Sequence, residues 1–173
     1  NRFVQANLAS LCNFLDEQIR QTKKAIQDHI NQHKELQRMQ NLLITIPGIG
    51  QLTAAKLLGE IRNVLDFQNA RQLAAYAGLT PRNMLSGTSV HKKSRLSKTG
   101  NANLRKALYM PAIVAIKHNP IVKSFCAKLA ENGLHPMEVV CAAMRKLLHL
   151  AFGILKTGRP FDPDYLKPML ALP

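Results

Sequence analysis

Leu43-Ile44-Thr45-Ile46-Pro47-Gly48-Ile49-Gly50-Gln51-Leu52-Thr53-Ala54-Ala55 holds the end of one helix, a tight turn and the start of another. Pro47 lacks an N–H and ends the first helix, while Gly48 and Gly50 permit a turn that exposes backbone amides. Ile49 is placed to plug the space between the two helices, and small Ala54 and Ala55 let them cross closely. The pattern predicts a helix-hairpin-helix and an α-helical domain around it. Amides opening the second helix suit an anion such as a DNA phosphate, held without reading its base. Gly48, Ile49 and Gly50 are therefore candidate nucleic-acid contacts, although the same turn also serves as plain architecture.

Upstream, Leu8, Leu11, Leu15, Ile19, Ile26 and Ile30 recur at helical spacing on a segment without Gly or Pro. This predicts one long amphipathic helix. Leu8, Leu15 and Thr22 keep a seven-residue step, so residues 1–33 read as a coiled-coil linker helix, suited equally to packing on its own domain or on a second chain. A polar break at Asn31 to His33 precedes a shorter helix carrying Leu36, Met39, Leu42 and Leu43. Asn1 stands where an initiator Met would, which suggests residues upstream of it, although removal of an initiator Met would leave the same start.

Downstream, Asp66-Phe67-Gln68-Asn69 caps a short helix, Ala70 to Ala77, that stops at Gly78. Residues 79–100 have no sustained period and are rich in hydroxyls and cations, and they read as a long basic loop. Within it, Thr88 to Lys92 admit a short strand pairing with Arg95-Leu96-Ser97. Asn101 opens a helix with Leu104, Leu108 and Ile113 on one face and a bend expected at Pro111. Asn119-Pro120 opens the next helix, and Asn132-Gly133 ends it. Pro136 begins the last long helix, which stops at Gly158. The expected fold is all-α: a linker helix, a domain over residues 34–160, and an irregular Pro-rich tail over 161–173 laid across it.

Charge narrows the function. The chain has 24 Lys and Arg against 10 Asp and Glu, a formal charge of +14. From Phe67 to Ala130 there are eleven Lys or Arg and no carboxylate. Such a block favours nucleic acid, bound through phosphates with release of counterions. At 46 % hydrophobic residues the chain can bury a core, so it is not a disordered basic tail. No apolar run approaches the roughly 20 residues that span a bilayer, and no signal-peptide core is present. A membrane partner is not expected, and the protein reads as intracellular. Cys12, Cys126 and Cys141 are scattered, and His29 and His33 lack acidic or thiolate companions, so no metal site or cofactor is expected in this chain. Three Tyr, six Phe and no Trp argue against base stacking as the main mode of single-strand recognition.

Several motifs follow one another in order: Ile46-Pro47-Gly48-Ile49-Gly50, Leu73-Ala74-Ala75-Tyr76-Ala77-Gly78-Leu79-Thr80-Pro81-Arg82, Ser86-Gly87, then Ser97-Lys98-Thr99-Gly100-Asn101-Ala102-Asn103-Leu104-Arg105-Lys106, and Met144-Arg145-Lys146-Leu147-Leu148-His149. Together they resemble the C-terminal transposase domain of insertion-sequence recombinases related to Piv-type DNA invertases, over roughly residues 35–160. The resemblance implies a prokaryotic, cytoplasmic recombinase, nucleoid-associated when active. It also implies donor and target DNA, a structured guide RNA, and assembly as a dimer or tetramer. In that family a RuvC-like domain supplies a DEDD carboxylate cluster for metal, and the serine of a Ser-Gly pair is the nucleophile. The serine falls on Ser86. Arg82, Lys92, Lys93, Arg95, Lys98 and Arg105 are candidates to hold or stabilise phosphates. Mg²⁺ is expected through the carboxylate domain, which these residues lack, so this portion alone is expected to bind nucleic acid without recombining it. The rival reading is a non-catalytic helix-hairpin-helix module of a repair or recombination factor. Arg145 and Lys146 stay open between phosphate contact and a solvated helix face.

Overall fold

The computed structural model describes residues 1–86 and 90–164, and its side chains are described outside 83–95 and 165–173. Among the described residues the fold is all-α apart from one hairpin. Its elements are α1 (Arg2–Gln32), α2 (Lys34–Ile44), α3 (Gln51–Ile61), a 3-10 turn (Val64–Asp66), α4 (Ala70–Tyr76), β1 (Pro81–Ser86), β2 (Val90–Leu96), α5 (Ala102–His118), α6 (Pro120–Glu131) and α7 (Pro136–Thr157).

The chain divides into two compact units, Asn1–Arg38 and Met39–Pro173. The first is dominated by α1, a single helix capped by the Asn1 side chain, which accepts from the Phe3 amide at 3.1 Å. The stripe read from its periodicity is real but uncovered in the single chain. Leu8, Leu11, Leu15 and Ile19 are each about half exposed. The helix ends at His33, whose extended backbone (φ −117°) marks the polar break.

The second unit has α5 and α7 at its centre, with α4 and α6 packed on α7 and α3 on α5. Val139, Ala143, Met144, Leu147, Leu148 and Ala151 recur at three and four residues along α7 and are buried. This is the stripe by which a helix faces a core. Leu43, Leu57, Leu73, Leu104 and Leu108 meet it from the other helices and are fully buried. The caps follow the sequence signals: Asn69 for α4, Asn101 for α5, Asn119 for α6, and a capping box of His135 and Glu138 for α7. α5 continues through Pro111.

Two buried amides fix the turn between α2 and α3. Gln40 donates through Nε2 to the Gln51 carbonyl at 3.3 Å. Asn119, wholly buried, accepts at Oδ1 from the Ile121 and Val122 amides and donates through Nδ2 to the Pro47 carbonyl at 3.3 Å. Buried polar side chains persist only when bonded in this way. Gly48 has φ +108°, and a Cβ there would lie 2.9 Å from both the Pro111 carbonyl oxygen and the Ala115 Cβ of α5. Only glycine allows that approach.

The predicted long loop is instead largely a hairpin. β1 and β2 pair antiparallel from Pro81↔Leu96 to Ser86↔Val90. The expected pairing of Thr88–Lys92 with Arg95–Ser97 is not formed, since Val90 and Arg95 lie on the same strand. The longer ladder pairs more backbone groups than two short segments separated by two residues. Thr88 and Ser89 lie outside the described residues. Of the predicted tail, residues 161–164 are irregular, and the Phe161 amide donates to Thr45 Oγ1 at 2.9 Å, so the tail begins by lying over the domain.

Candidate nucleic-acid interface

The hairpin leaves the domain at Gly78 and returns at Gly100, and the junction is tightly built. The Ser97 amide donates to the Thr80 carbonyl at 2.9 Å, and the Lys98 amide to the Gly78 carbonyl at 3.1 Å. The Asn101 amide donates to the Tyr76 carbonyl at 2.7 Å. Gly100, at φ +126°, passes so close to the Tyr76 carbonyl that a Cβ would overlap it. Asn101 then serves three elements at once. Its Oδ1 accepts from the Leu104 amide at 3.0 Å, and its Nδ2 donates to Glu60 Oε2 of α3 at 2.7 Å and to the Tyr76 hydroxyl of α4 at 3.2 Å. The strands therefore project from a root clamped to three helices.

On that scaffold β1 carries Arg82 and, as its last residue, Ser86, while β2 carries Lys92, Lys93 and Arg95. The register sets Arg82 opposite Arg95 and Met84 opposite Lys92, with an irregularity between them. The β2 strand advances three residues there while β1 advances two, the signature of a bulge that twists a ribbon. Ser86, opposite Val90, directly precedes the connection at 87–89. The hairpin thus brings five of the sequence candidates onto one two-stranded ribbon.

Lys98 and Arg105 stand at the root. Lys98 is exposed and adopts a left-handed conformation, φ +55°. Arg105 Nη1 donates to the Ala77 carbonyl at 2.9 Å, so part of its guanidinium closes the C-terminus of α4, where a cation also meets the negative end of the helix dipole. Its place is structural as well as cationic. Gly48, Ile49 and Gly50 form a separate locus, where Gly48 packs against Ala115, about 15 Å farther along α5 than Arg105. There Ile49 is buried and its amide is bonded to the Ile46 carbonyl at 3.0 Å. Gly50 has open space around it and caps α3 without a side-chain bond. The amides suited to an anion are thus those following Gly50 rather than that of Ile49.

Residues left undecided by sequence acquire surroundings. Lys146 Nζ lies 5.6 Å from the centroid of the Phe125 ring. His149 has its pKa pushed down, first by burial and then by Arg145, Lys146 and Arg71 around it, and its Nε2 is buried without a partner among the described residues. Its clustering with three cations depends on α4 lying against α7, which no local pattern reveals. Among the described residues no group of three His, Cys, Asp or Glu is arranged to hold a metal ion. Three of the ten carboxylates are engaged elsewhere: Glu60 with Asn101, Glu138 with the α7 cap and Glu17 with Arg20. These residues do not fit a metal cluster by themselves. No helix among the described residues is long and apolar enough to cross a membrane.

Residues 40–127 match the sequence profile described as Transposase IS116/IS110/IS902 family. The chain is 40 % identical over 157 residues to the pilin gene-inverting protein of Moraxella bovis, covering 86 % of this chain and 49 % of that protein. It is 30 % identical over 155 residues to the transposase for insertion sequence element IS1328 of Yersinia enterocolitica, with 86 % and 44 % covered. Against the uncharacterized 43.6 kDa protein of insertion element IS110 from Streptomyces coelicolor it is 28 % identical over 159 residues, with 92 % and 38 % covered. The chain spans about half the length, or less, of these curated relatives.

Proposed function

Since the chain belongs to the IS116/IS110/IS902 transposase family, we propose that it is the portion of a DNA transposase or site-specific recombinase that grips nucleic acid and supplies the attacking serine. The observation that carries this reading is the position of Ser86: last residue of β1, before the hairpin connection, within a block of eleven cations and no carboxylate. Serine Oγ forms a bond to a DNA phosphorus as the bond to one sugar oxygen breaks, and the serine proton ends on the released sugar hydroxyl. The phosphoserine diester keeps the bond energy, and a hydroxyl from the other strand reverses the step. Arg82, Lys92, Lys93, Arg95 and Lys98 are the chain's candidates to offset charge on the phosphoryl oxygens. Metal ions held by carboxylates elsewhere in the whole protein would add Lewis-acid stabilisation. Donor and target DNA and a structured guide RNA are the proposed partners, in the cytoplasm and at the nucleoid. The uncovered apolar stripe on α1 supports assembly with a second copy.

The test incubates the whole protein, its element's RNA and Mg²⁺ with labelled donor and target DNA. A denaturing gel then compares wild type with Ser86→Ala. A covalent protein–DNA adduct that vanishes in the variant, while DNA binding persists, supports the serine mechanism. Strand exchange without an adduct in either protein overturns it. The second reading, a binding module centred on the amides after Gly50, is favoured by the open space there. It predicts that Ser86→Ala changes nothing.

A further inference from the structure

We propose that a groove at the root of the hairpin takes up an unstacked nucleobase of single-stranded DNA or RNA, with the flanking phosphates on Lys98 and Arg145. The proposal rests on the nucleic-acid reading above and gives a base a place that reading lacks.

The groove has a volume of about 960 Å³. Leu79, Pro81 and Leu96 line it from the hairpin root, and Phe125, Leu129 and Leu134 from α6 and its exit. Cys141 and Ala142 of α7 add to the lining. A largely apolar cleft of this size with a few polar groups at its edge is the usual make-up of a site for a small, flat ligand. Its charged residues are Lys98, Arg145 and Glu138. The carboxylate is occupied in part by the helix cap, where Glu138 Oε2 accepts from the His135 amide at 3.0 Å. Lys146, outside the lining, lies 5.6 Å from the centroid of the Phe125 ring, so a cation already sits over the aromatic side chain that lines the groove.

An apolar interior with an excess of cations complements an aromatic base that carries phosphates on either side. A wholly apolar ligand would leave the cations unused, and a bare polyanion would leave the interior empty. The groove also lies within reach of the proposed chemistry. Pro81 lines it and Ser86 ends the same strand, about 17 Å away at the rise of an extended chain. A strand held at the hairpin tip can therefore place a base a few nucleotides away into the groove. Stacking against one phenylalanine is compatible with a chain poor in aromatics, because it concerns a single base.

The test measures binding of the full chain to labelled single-stranded oligo(dU) and oligo(U), each beside a strand of equal length with abasic residues at its centre. Two variants are compared: Ala142→Trp, which fills the groove, and Phe125→Leu, which removes the ring. The wild type should prefer base-bearing strands by about tenfold, the scale of one base–aromatic contact. Both variants should erase that preference while keeping duplex affinity, and Phe125→Leu carries the test if Ala142→Trp does not fold. In a Cys12→Ser background, bound oligonucleotide should slow alkylation of Cys141. The dU and U arms show which sugar is accepted, and preference in either supports the groove. Equal binding of base-bearing and abasic strands by the wild type overturns the proposal, as does a preference unchanged in the folded variants. Retained salt-sensitive duplex binding would then leave the functional reading standing, whereas loss of all nucleic-acid binding overturns both.

Discussion

Replacing Asn101 should loosen the root from which the hairpin projects, and its cost can be divided by choice of substitution. In Asn101→Ala the α5 cap is lost, worth about 1 kcal/mol. The bond from Nδ2 to the Glu60 carboxylate is lost as well, and hydrogen bonds to charged groups contribute about 1.5–3 kcal/mol. Asn101 and Glu60 are only partly buried, so the lower end of that range applies. The expected total is about 2–3 kcal/mol, or a fall in Tm of about 4–12 °C for a chain of this size. Asn101→Ser keeps a capping oxygen and loses only the reach to Glu60 and Tyr76, so it should recover about 1 kcal/mol of the loss. Urea titration of the full chain, with helicity as the signal, measures both variants. A loss below about 0.5 kcal/mol in Asn101→Ala, too small for the loss of even a typical cap, would refute the reasoning. So would an Asn101→Ser variant as unstable as Asn101→Ala.

Gly48→Ala should cost about 2–4 kcal/mol, combining strain at φ +108° with the collision against Pro111 and Ala115. Gly50→Ala, at φ −94° with open space around it, should cost less than about 1 kcal/mol, and the same urea titration separates the two. The pKa of His149 is lowered from 6.5, so below that value the unfolded chain takes up a proton that the folded chain resists. Stability contributed by neutral His149 is therefore complete above about pH 6.5 and is lost as pH falls toward the folded pKa. Thermal melts of wild type and His149→Asn across pH 5 to 8, the range in which an ordinary histidine titrates, should show a smaller acid loss in the variant; parallel curves would remove His149 as the cause.

The helices, their caps and the turn at Pro47 are written locally. In their capping role Asn69, Asn101, Asn119 and Pro136 act within one helical turn of themselves, and the stripe of α7 repeats at helical spacing, so these features are legible without a partner. The concentration of positive charge is likewise a property of the chain, and it alone pointed to a polyanion. The hairpin reads as a loop in the sequence because strands pair across the chain. The fit of Pro81–Ser86 to Val90–Leu96 appears only when both are laid side by side, with no alternating apolar pattern to announce it. Three results needed the folded chain: Arg105 closing α4, Asn119 bonding the Pro47 carbonyl, and Phe125, Cys141 and Arg145 lining a groove with Leu96. The physical reason is range. Caps and helical periodicity are settled over a few residues, whereas contacts between α4, the hairpin, α6 and α7 join residues tens of positions apart and exist only once the core has closed.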